Sequence, residues 1–323
     1  MKGVLAYLRG STRQVPSPAE WMLEVTNRCN LACPMCLRDK VDFVTQDMDL
    51  QFIYRLFERN PPPNALWPYG YGEPSLYPWL FDVIRHAKTR GVVVSLSTNA
   101  TTLNEHAGNE LLACGLDYLI IAFDGATSET YERYRKGASF DSVKSKVNRF
   151  LAKKLSSDSA LHVTVQMILM DGTSKETAAF RHMWQKPGVD CVRIREDLLK
   201  ADSNNNHCNH QKPRPCFFLW RGPLFIQAGG SVIPCPYYHG AEPFGDLRTQ
   251  TVAEVWNSPK MDQLRKAHLV GDLSSYPLCA SCPRYQPHAV LAAASFFINT
   301  NGIRRLLPLA ERIQQRLNRR LFE

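Results

Sequence analysis

No stretch of the 323 residues approaches the roughly 18 consecutive apolar side chains that span a bilayer, and the longest candidate, Ala289 to Ile298, is interrupted by Ser295. Met1 to Thr12 lacks the sustained apolar core and small-residue cleavage site of a secretory signal, so export is not expected and a cytoplasmic location is. No internal repeat is visible. Large charge of one sign is also missing: 39 Lys plus Arg stand against 30 Asp plus Glu. The basic residues are dispersed and no RNA-binding appendage is present, so nucleic acid is not an expected partner. What is there is a 44% hydrophobic, 21% charged chain, which excludes disorder and suits about two domains. Its ten cysteines, with no export signal, point to metal rather than to disulfides.

Hydrophobic patterning sets the fold. Trp21 to Val25, Ala65 to Tyr69, Val92 to Ser97, Tyr118 to Phe123, Leu161 to Leu169 and Cys191 to Arg195 read as strands. Between them, Asp49 to Glu58, the segment carrying Leu80, Val83, Ile84 and Ala87, Asn109 to Cys114, Phe140 to Leu151 and Ala178 to Trp184 read as helices. Six strands alternating with helices imply a parallel sheet, here an incomplete barrel of (β/α)6 type, since a full eight-stranded one takes about 250 residues. A polar linker, Ala201 to Pro215, leads into short strands and turns from Cys216 to Cys282 with one helix near Val252 to Ala267. The expected division is 1–18 as an extension, 19–200 as the α/β partial barrel, 201–290 as a small second domain, and 291–323 as a tail. In that tail Ile303, Leu306, Ala310, Ile313, Leu317 and Leu321 form one helical face opposite five arginines.

Cys29-x3-Cys33-x2-Cys36 lies on the loop after the first strand, close enough in sequence for three thiolates to converge on one cluster. A four-iron cubane on three thiolates keeps one iron open, where a small molecule offering an amine and a carboxylate can chelate. Catalytic zinc also keeps an open position but cannot deliver an electron. Structural zinc needs a fourth ligand, and Thr26 to Lys40 offers no histidine and no further cysteine. Three plain core thiols are the remaining alternative.

The loop Thr26-Asn27-Arg28-Cys29-Asn30-Leu31-Ala32-Cys33-Pro34-Met35-Cys36 resembles the signature of the radical S-adenosylmethionine enzymes. Gly70-Tyr71-Gly72-Glu73-Pro74 resembles that family's Gly-Gly-Glu-Pro motif, which receives the methionine amino group. Tyr71 stands where a glycine is commonest, so the carry-over rests on Gly72, Glu73 and Pro74. Ser97-Thr98-Asn99 and Ala122-Phe123-Asp124-Gly125 are similar to family segments lining the cofactor, which makes Ser97, Asn99 and Asp124 candidate contacts. Ala122 replaces a frequent serine and offers no hydroxyl to the ribose. Arg135 falls where many relatives place an arginine for the methionine carboxylate, a solvated helix arginine being the alternative.

Cys216, Cys235, Cys279 and Cys282 form a second set, similar to the shortened auxiliary-cluster domain called Twitch and to the longer SPASM domain. Phe244-Gly245-Asp246-Leu247 and Glu254-Val255-Trp256-Asn257-Ser258 extend the likeness. No cysteine follows Cys282, so a second auxiliary cluster is not expected; a four-cysteine zinc ribbon is the alternative. Of the other thiols, Cys114 reads as a core filler, Cys191 as a buried structural thiol, and Cys208 as part of the linker.

The resemblance implies a 4Fe-4S cluster on three cysteines, S-adenosyl-L-methionine, and an auxiliary 4Fe-4S cluster on four. Their charges would bring the formal +9 to roughly +6. It implies an oxidoreductase-like enzyme, fed by a reductant such as flavodoxin or ferredoxin, that forms a 5′-deoxyadenosyl radical and abstracts hydrogen. Oxidation or epimerisation of a small-molecule, sugar or lipid-linked substrate is the expected use, because Cys29 lies too near the start for the extra peptide-binding domain of many peptide maturases. Peptide maturation is the alternative, and a non-catalytic iron-sulfur or zinc scaffold is the alternative of another class. The basic tail is compatible with peripheral contact at an inner membrane surface, as well as with packing on the barrel.

Overall fold

The computed structural model describes residues 2–40, 44–196, 215–240 and 242–282. A short helix, α1 (Lys2–Leu8), precedes β1 (Glu20–Leu23). Then follow α2 (Leu50–Arg59), β2 (Ala65–Trp67), α3 (Leu80–Thr89), β3 (Val93–Thr98), α4 (Glu105–Ala113) and β4 (Tyr118–Ala122). The repeat continues through α5 (Ser128–Tyr134), α6 (Phe140–Ser156), β5 (His162–Leu169), α7 (Thr177–Trp184) and β6 (Cys191–Glu196). The helices start where polar caps take up the first free N–H groups: Asp49 accepts from Gln51 and Phe52, Asn104 from Ala107, Thr127 from Thr130 and Ser139 from Ser142.

All neighbouring pairs from β1 to β6 are parallel, as the helical crossovers require. Alternation along each strand separates two faces. Trp21, Leu23, Val94, Leu96, Leu119, Ile121, Val163 and Val165 pack against α-helical side chains such as Ile53, Val83, Ile84, Val147 and Trp184 in the main core. The opposite, inner face carries a smaller cluster of Met22, Phe225 and Ile233, against which Trp67, Tyr69 and Tyr71 pack.

The second cysteine segment joins the same sheet. After α8 (Phe218–Arg221), β7 (Leu224–Ile226) pairs parallel with β1, with Trp21 opposite Leu224 and Leu23 opposite Ile226. Then β8 (Ser231–Ile233) and β9 (Gly245–Asp246) add antiparallel strands. Among the described residues the nine strands therefore run β6-β5-β4-β3-β2-β1-β7-β8-β9. The buried Arg221–Glu20 ion pair, 2.6 Å, fastens the entry to this extension.

Some details differ from the sequence pattern, among them the short helix α5, which the patterning did not place. The single helix expected over Val252 to Ala267 is two, α9 (Val252–Trp256) and α10 (Pro259–Val270). Ser258 caps the second, and Pro259 at its first position cannot donate to a continuing ladder. Cys191 is half-buried on β6 rather than buried, whereas Cys114 is in the core, 3% exposed. A last helical turn, α11 (Pro277–Ala280), carries Cys279. Cys208, most of the linker and the whole basic tail lie outside the described residues. No described helix is long and apolar enough to cross a membrane.

Candidate active site

Cys29, Cys33 and Cys36 sit on the loop that leaves β1, and three other loops brace that loop from different sides. From the β2 side, Glu73 N–H donates to Arg28 O at 2.8 Å. Gly72 packs so closely that a Cβ there would stand 2.3 Å from Thr26 O and 2.6 Å from Arg28 O. Only a residue without a side chain fits. From the β3 side, Asn99 Nδ2 donates to Asn30 Oδ1 (3.1 Å) and Asn30 Nδ2 to Thr101 Oγ1 (2.7 Å). Beyond α5, Ala32 N–H donates to Lys136 O at 3.0 Å. Within the loop, Cys36 N–H donates to Cys33 O, and Arg28 is held by both carboxylate oxygens of Asp47.

Cys33 is buried and the other two thiols are half-buried. Burial pushes the Cys29 and Cys33 thiols above their ordinary values, and the neighbouring thiols push the same way, while Arg135 pulls Cys33 down. The Arg135 guanidinium lies 4.0 Å from Cys33 Sγ and makes a 2.5 Å ion pair with Asp124 Oδ2. Arg135 ends α5 with its side chain 12% exposed, so the solvated alternative is not what the structure shows. Burial opposes its charge, but Asp124 and Cys33 outweigh it and hold the guanidinium firmly protonated. Its Nε is buried with no hydrogen-bond partner. Asp124 Oδ1 accepts from Ile168 N–H at 2.7 Å.

Glu73 is 3% exposed, and its carboxylate accepts from Ser75 N–H, Ser75 Oγ, Thr98 Oγ1 and Asn99 N–H. Four donors of its own chain therefore use this carboxylate to tie the β2 and β3 loops together. Pro74 is buried and opens a short 3-10 turn, and Ser97 is half-buried on the inner side of β3.

The second set gathers from distant points: Cys216 ahead of α8, Cys235 after β8, Cys279 in α11 and Cys282 beyond it. All four line a cavity of about 40 Å3, together with Phe218, Leu278, Tyr238 and His268. Burial raises the Cys235 thiol strongly and the Cys279 thiol to about 12, with the other thiols adding to both. Among the described residues, no group of three or more His, Cys, Asp or Glu side chains is gathered as a site for a single metal ion.

Three residues beside the two cysteine sets are given no role by sequence reasoning. Glu24, 3% exposed, accepts from Tyr71 N–H (3.2 Å) and Ala228 N–H (3.1 Å), and burial raises its carboxyl to about 7. The Tyr71 hydroxyl donates to Pro236 O at 2.7 Å, next to Cys235. His268 faces the thiol cavity. The available signals were two glutamates, Glu20 and Glu24, flanking the apolar Trp21-Met22-Leu23, and the departure of Tyr71 from the usual glycine; for His268 there was none.

A family model for the radical SAM superfamily matches residues 23–182, and one for SPASM, an iron-sulfur cluster-binding domain, matches residues 216–283. The chain belongs to the radical SAM superfamily. It is 24% identical over 309 residues to the tungsten-containing aldehyde ferredoxin oxidoreductase cofactor-modifying protein of Pyrococcus furiosus, covering 80% of this chain and 86% of that one. It is 23% identical over 354 residues to the PqqA peptide cyclase of Gluconobacter oxydans, covering 93% and 94%. In fold it is similar to Streptococcus suis SuiB bound to precursor peptide SuiA, with a TM-score of 0.62, 11% identity, and 81% and 69% of the two chains covered. It is also similar to BtrN in complex with AdoMet and 2-DOIA, with a TM-score of 0.54, 16% identity, and 84% and 95% covered.

Membership carries the cofactors: a 4Fe-4S cluster, S-adenosylmethionine and an auxiliary cluster. The residues present fit them. Three thiols beside a fixed cation suit a cluster of net negative charge, and four thiols lining one small cavity suit a fully ligated one.

Proposed function

We propose that this radical SAM enzyme abstracts hydrogen from a side-chain carbon of a peptide. What supports the site is the placing of three thiols on one loop at the end of β1, with the Gly72 backbone packed against that loop and the Arg135 guanidinium 4.0 Å from Cys33 Sγ. When bound, the two clusters supply the electron that cleaves S-adenosylmethionine to methionine and a 5′-deoxyadenosyl radical, and a store for the electron that the substrate gives up.

The chain's own residues bind and orient. With the Glu73 carboxylate engaged by Ser75, Thr98 and Asn99, the role left for the Gly70–Gly72 segment is to offer backbone carbonyls to the methionine ammonium. Arg135, with its partnerless Nε, is the candidate for the methionine carboxylate, and Asp124 keeps it in place. Ser97 and Asn99 are candidates for the ribose side. Trp67, Tyr69, Tyr71 and Phe225 form an apolar wall that keeps water from a reactive carbon.

The peptide reading takes precedence over the small-molecule, sugar or lipid-linked one because sequence relatives along most of the chain are named as peptide cyclases. The fold of SuiB with its bound precursor peptide supports it. A reductant such as flavodoxin or ferredoxin is the proposed electron source. The test is anaerobic reconstitution of the full chain with S-adenosylmethionine, strong reductant and candidate precursor peptides. The expected result is one 5′-deoxyadenosine for each peptide that loses hydrogen. Coupling to sugars or alcohols but never to a peptide would overturn the substrate class, and no 5′-deoxyadenosine at all would overturn the reaction.

A further inference from the structure

His268 lies on the inward side of α10, one turn beyond Leu264 and Arg265, and is 7% exposed. Its Nε2 is buried and finds no hydrogen-bond partner. A buried imidazole nitrogen in that condition is unusual, because polar atoms removed from water are nearly always paired. The ring lines the same cavity as the four thiols of the second set. Apart from the phenols of Tyr237 and Tyr238, the other lining side chains are Phe218, Leu219, Pro234 and Leu278, which offer nothing to bond. The four thiols share this cavity with the ring and none of them is hydrogen-bonded to Nε2, so a group held among the thiols is placed to meet it.

We infer that His268 is a hydrogen-bond donor to the sulfur of the auxiliary cluster and sets its reduction potential. The inference rests on the reading that the second cysteine set holds an iron-sulfur cluster. Hydrogen bonds to cluster sulfurs are one of the levers on potential. A donor dipole directed at sulfur favours the more negative, reduced state, so the bond raises the potential, and its removal lowers it. Partners outside the ligand shell act on other metal sites in the same way. The missing partner of Nε2 is then the cluster itself.

The test compares reconstituted full chain with His268→Phe, which keeps a ring but no N–H, and with His268→Gln, which keeps a donor. Midpoint potentials of both clusters are read by EPR-monitored titration, with iron counted in each sample. The expected result is a more negative auxiliary potential in His268→Phe, partial or full return in His268→Gln, and an unmoved first cluster. In 15N-histidine-labelled protein, the reduced auxiliary cluster should show a weak nitrogen coupling that His268→Gln abolishes. An unchanged auxiliary potential in His268→Phe with full iron content overturns the inference while leaving the cluster reading intact. So does an equal shift at both clusters, or a strong coupling diagnostic of direct ligation. Iron at the first set alone, or zinc at the second, overturns the cluster reading, and the inference with it. Should His268→Phe fail to fold, His268→Leu serves as the second donor-free variant and is read in the same way.

Discussion

The Tyr71 hydroxyl donates to the Pro236 carbonyl at 2.7 Å, and this bond joins the loop after β2 to the residue that follows Cys235. The Tyr71 ring also stacks at a tilt on Phe225, with centroids 5.3 Å apart. The residue that departs from the family's usual glycine is thus the one that reaches across to the second cysteine set. In Tyr71→Phe the ring packing survives and one hydrogen bond goes, worth about 1 kcal/mol. Amide exchange should quicken roughly fivefold around Cys235–Tyr238 and stay unchanged in β3–β5. Tyr77→Phe, which deletes a comparable bond to Met48 O, is the control and should leave that segment alone.

Gly72 supplies the sharpest steric prediction. A methyl group there meets two backbone oxygens at 2.3 and 2.6 Å, and backbone cannot swing aside as a flexible side chain can. Gly72→Ala should displace the cysteine loop and reduce 5′-deoxyadenosine formation by roughly a hundredfold, the usual effect of a misplacement near 1 Å. Activity within a few fold of the parent would show that the loop is not held by this contact.

Stability should fall with rising pH because of Glu24. Its folded carboxyl keeps a proton up to about pH 7, whereas the unfolded one releases it near 4.5. Between those values the folded chain binds more proton than the unfolded chain, so stability is lost as pH climbs through that window, by roughly 3 kcal/mol. Glu24→Gln should shrink the difference between melting temperatures taken at about pH 5 and about pH 8. An undiminished difference would assign the slope to other groups.

Arg135 and Asp124 form a buried pair, 12% and 1% exposed. In Arg135→Met the carboxylate is left charged and buried with only the Ile168 N–H, a change that costs about 3–5 kcal/mol when one partner of such a pair is removed. Urea unfolding of the metal-free chain measures it. S-adenosylmethionine binding to the iron-loaded variant should weaken as well, since the same cation is proposed to meet its carboxylate.

Much of the fold was legible because alternation of period two and 3.6 reports burial locally, and all six parallel strands fall where that pattern puts them. Close cysteine spacing likewise marks Cys29, Cys33 and Cys36 as a candidate set, and the structure places all three on the loop after β1. The brief α5 was missed, since seven residues hold too little repeat to register, with only Tyr131 and Tyr134 turned inward. Links across the chain were invisible: Glu24 meets Tyr71 47 positions on and Ala228 204 positions on, and Tyr71 meets Pro236 across 165. No local pattern encodes such meetings. The break between α9 and α10, by contrast, was written plainly in Ser258-Pro259.

The parallel pairing of β1 with β7 has a mechanical consequence. The loop bearing Cys29, Cys33 and Cys36 leaves one strand of that pair, and Cys235 follows β8, the neighbour of the other, so drawing these two loops apart would rupture the backbone ladder that joins them.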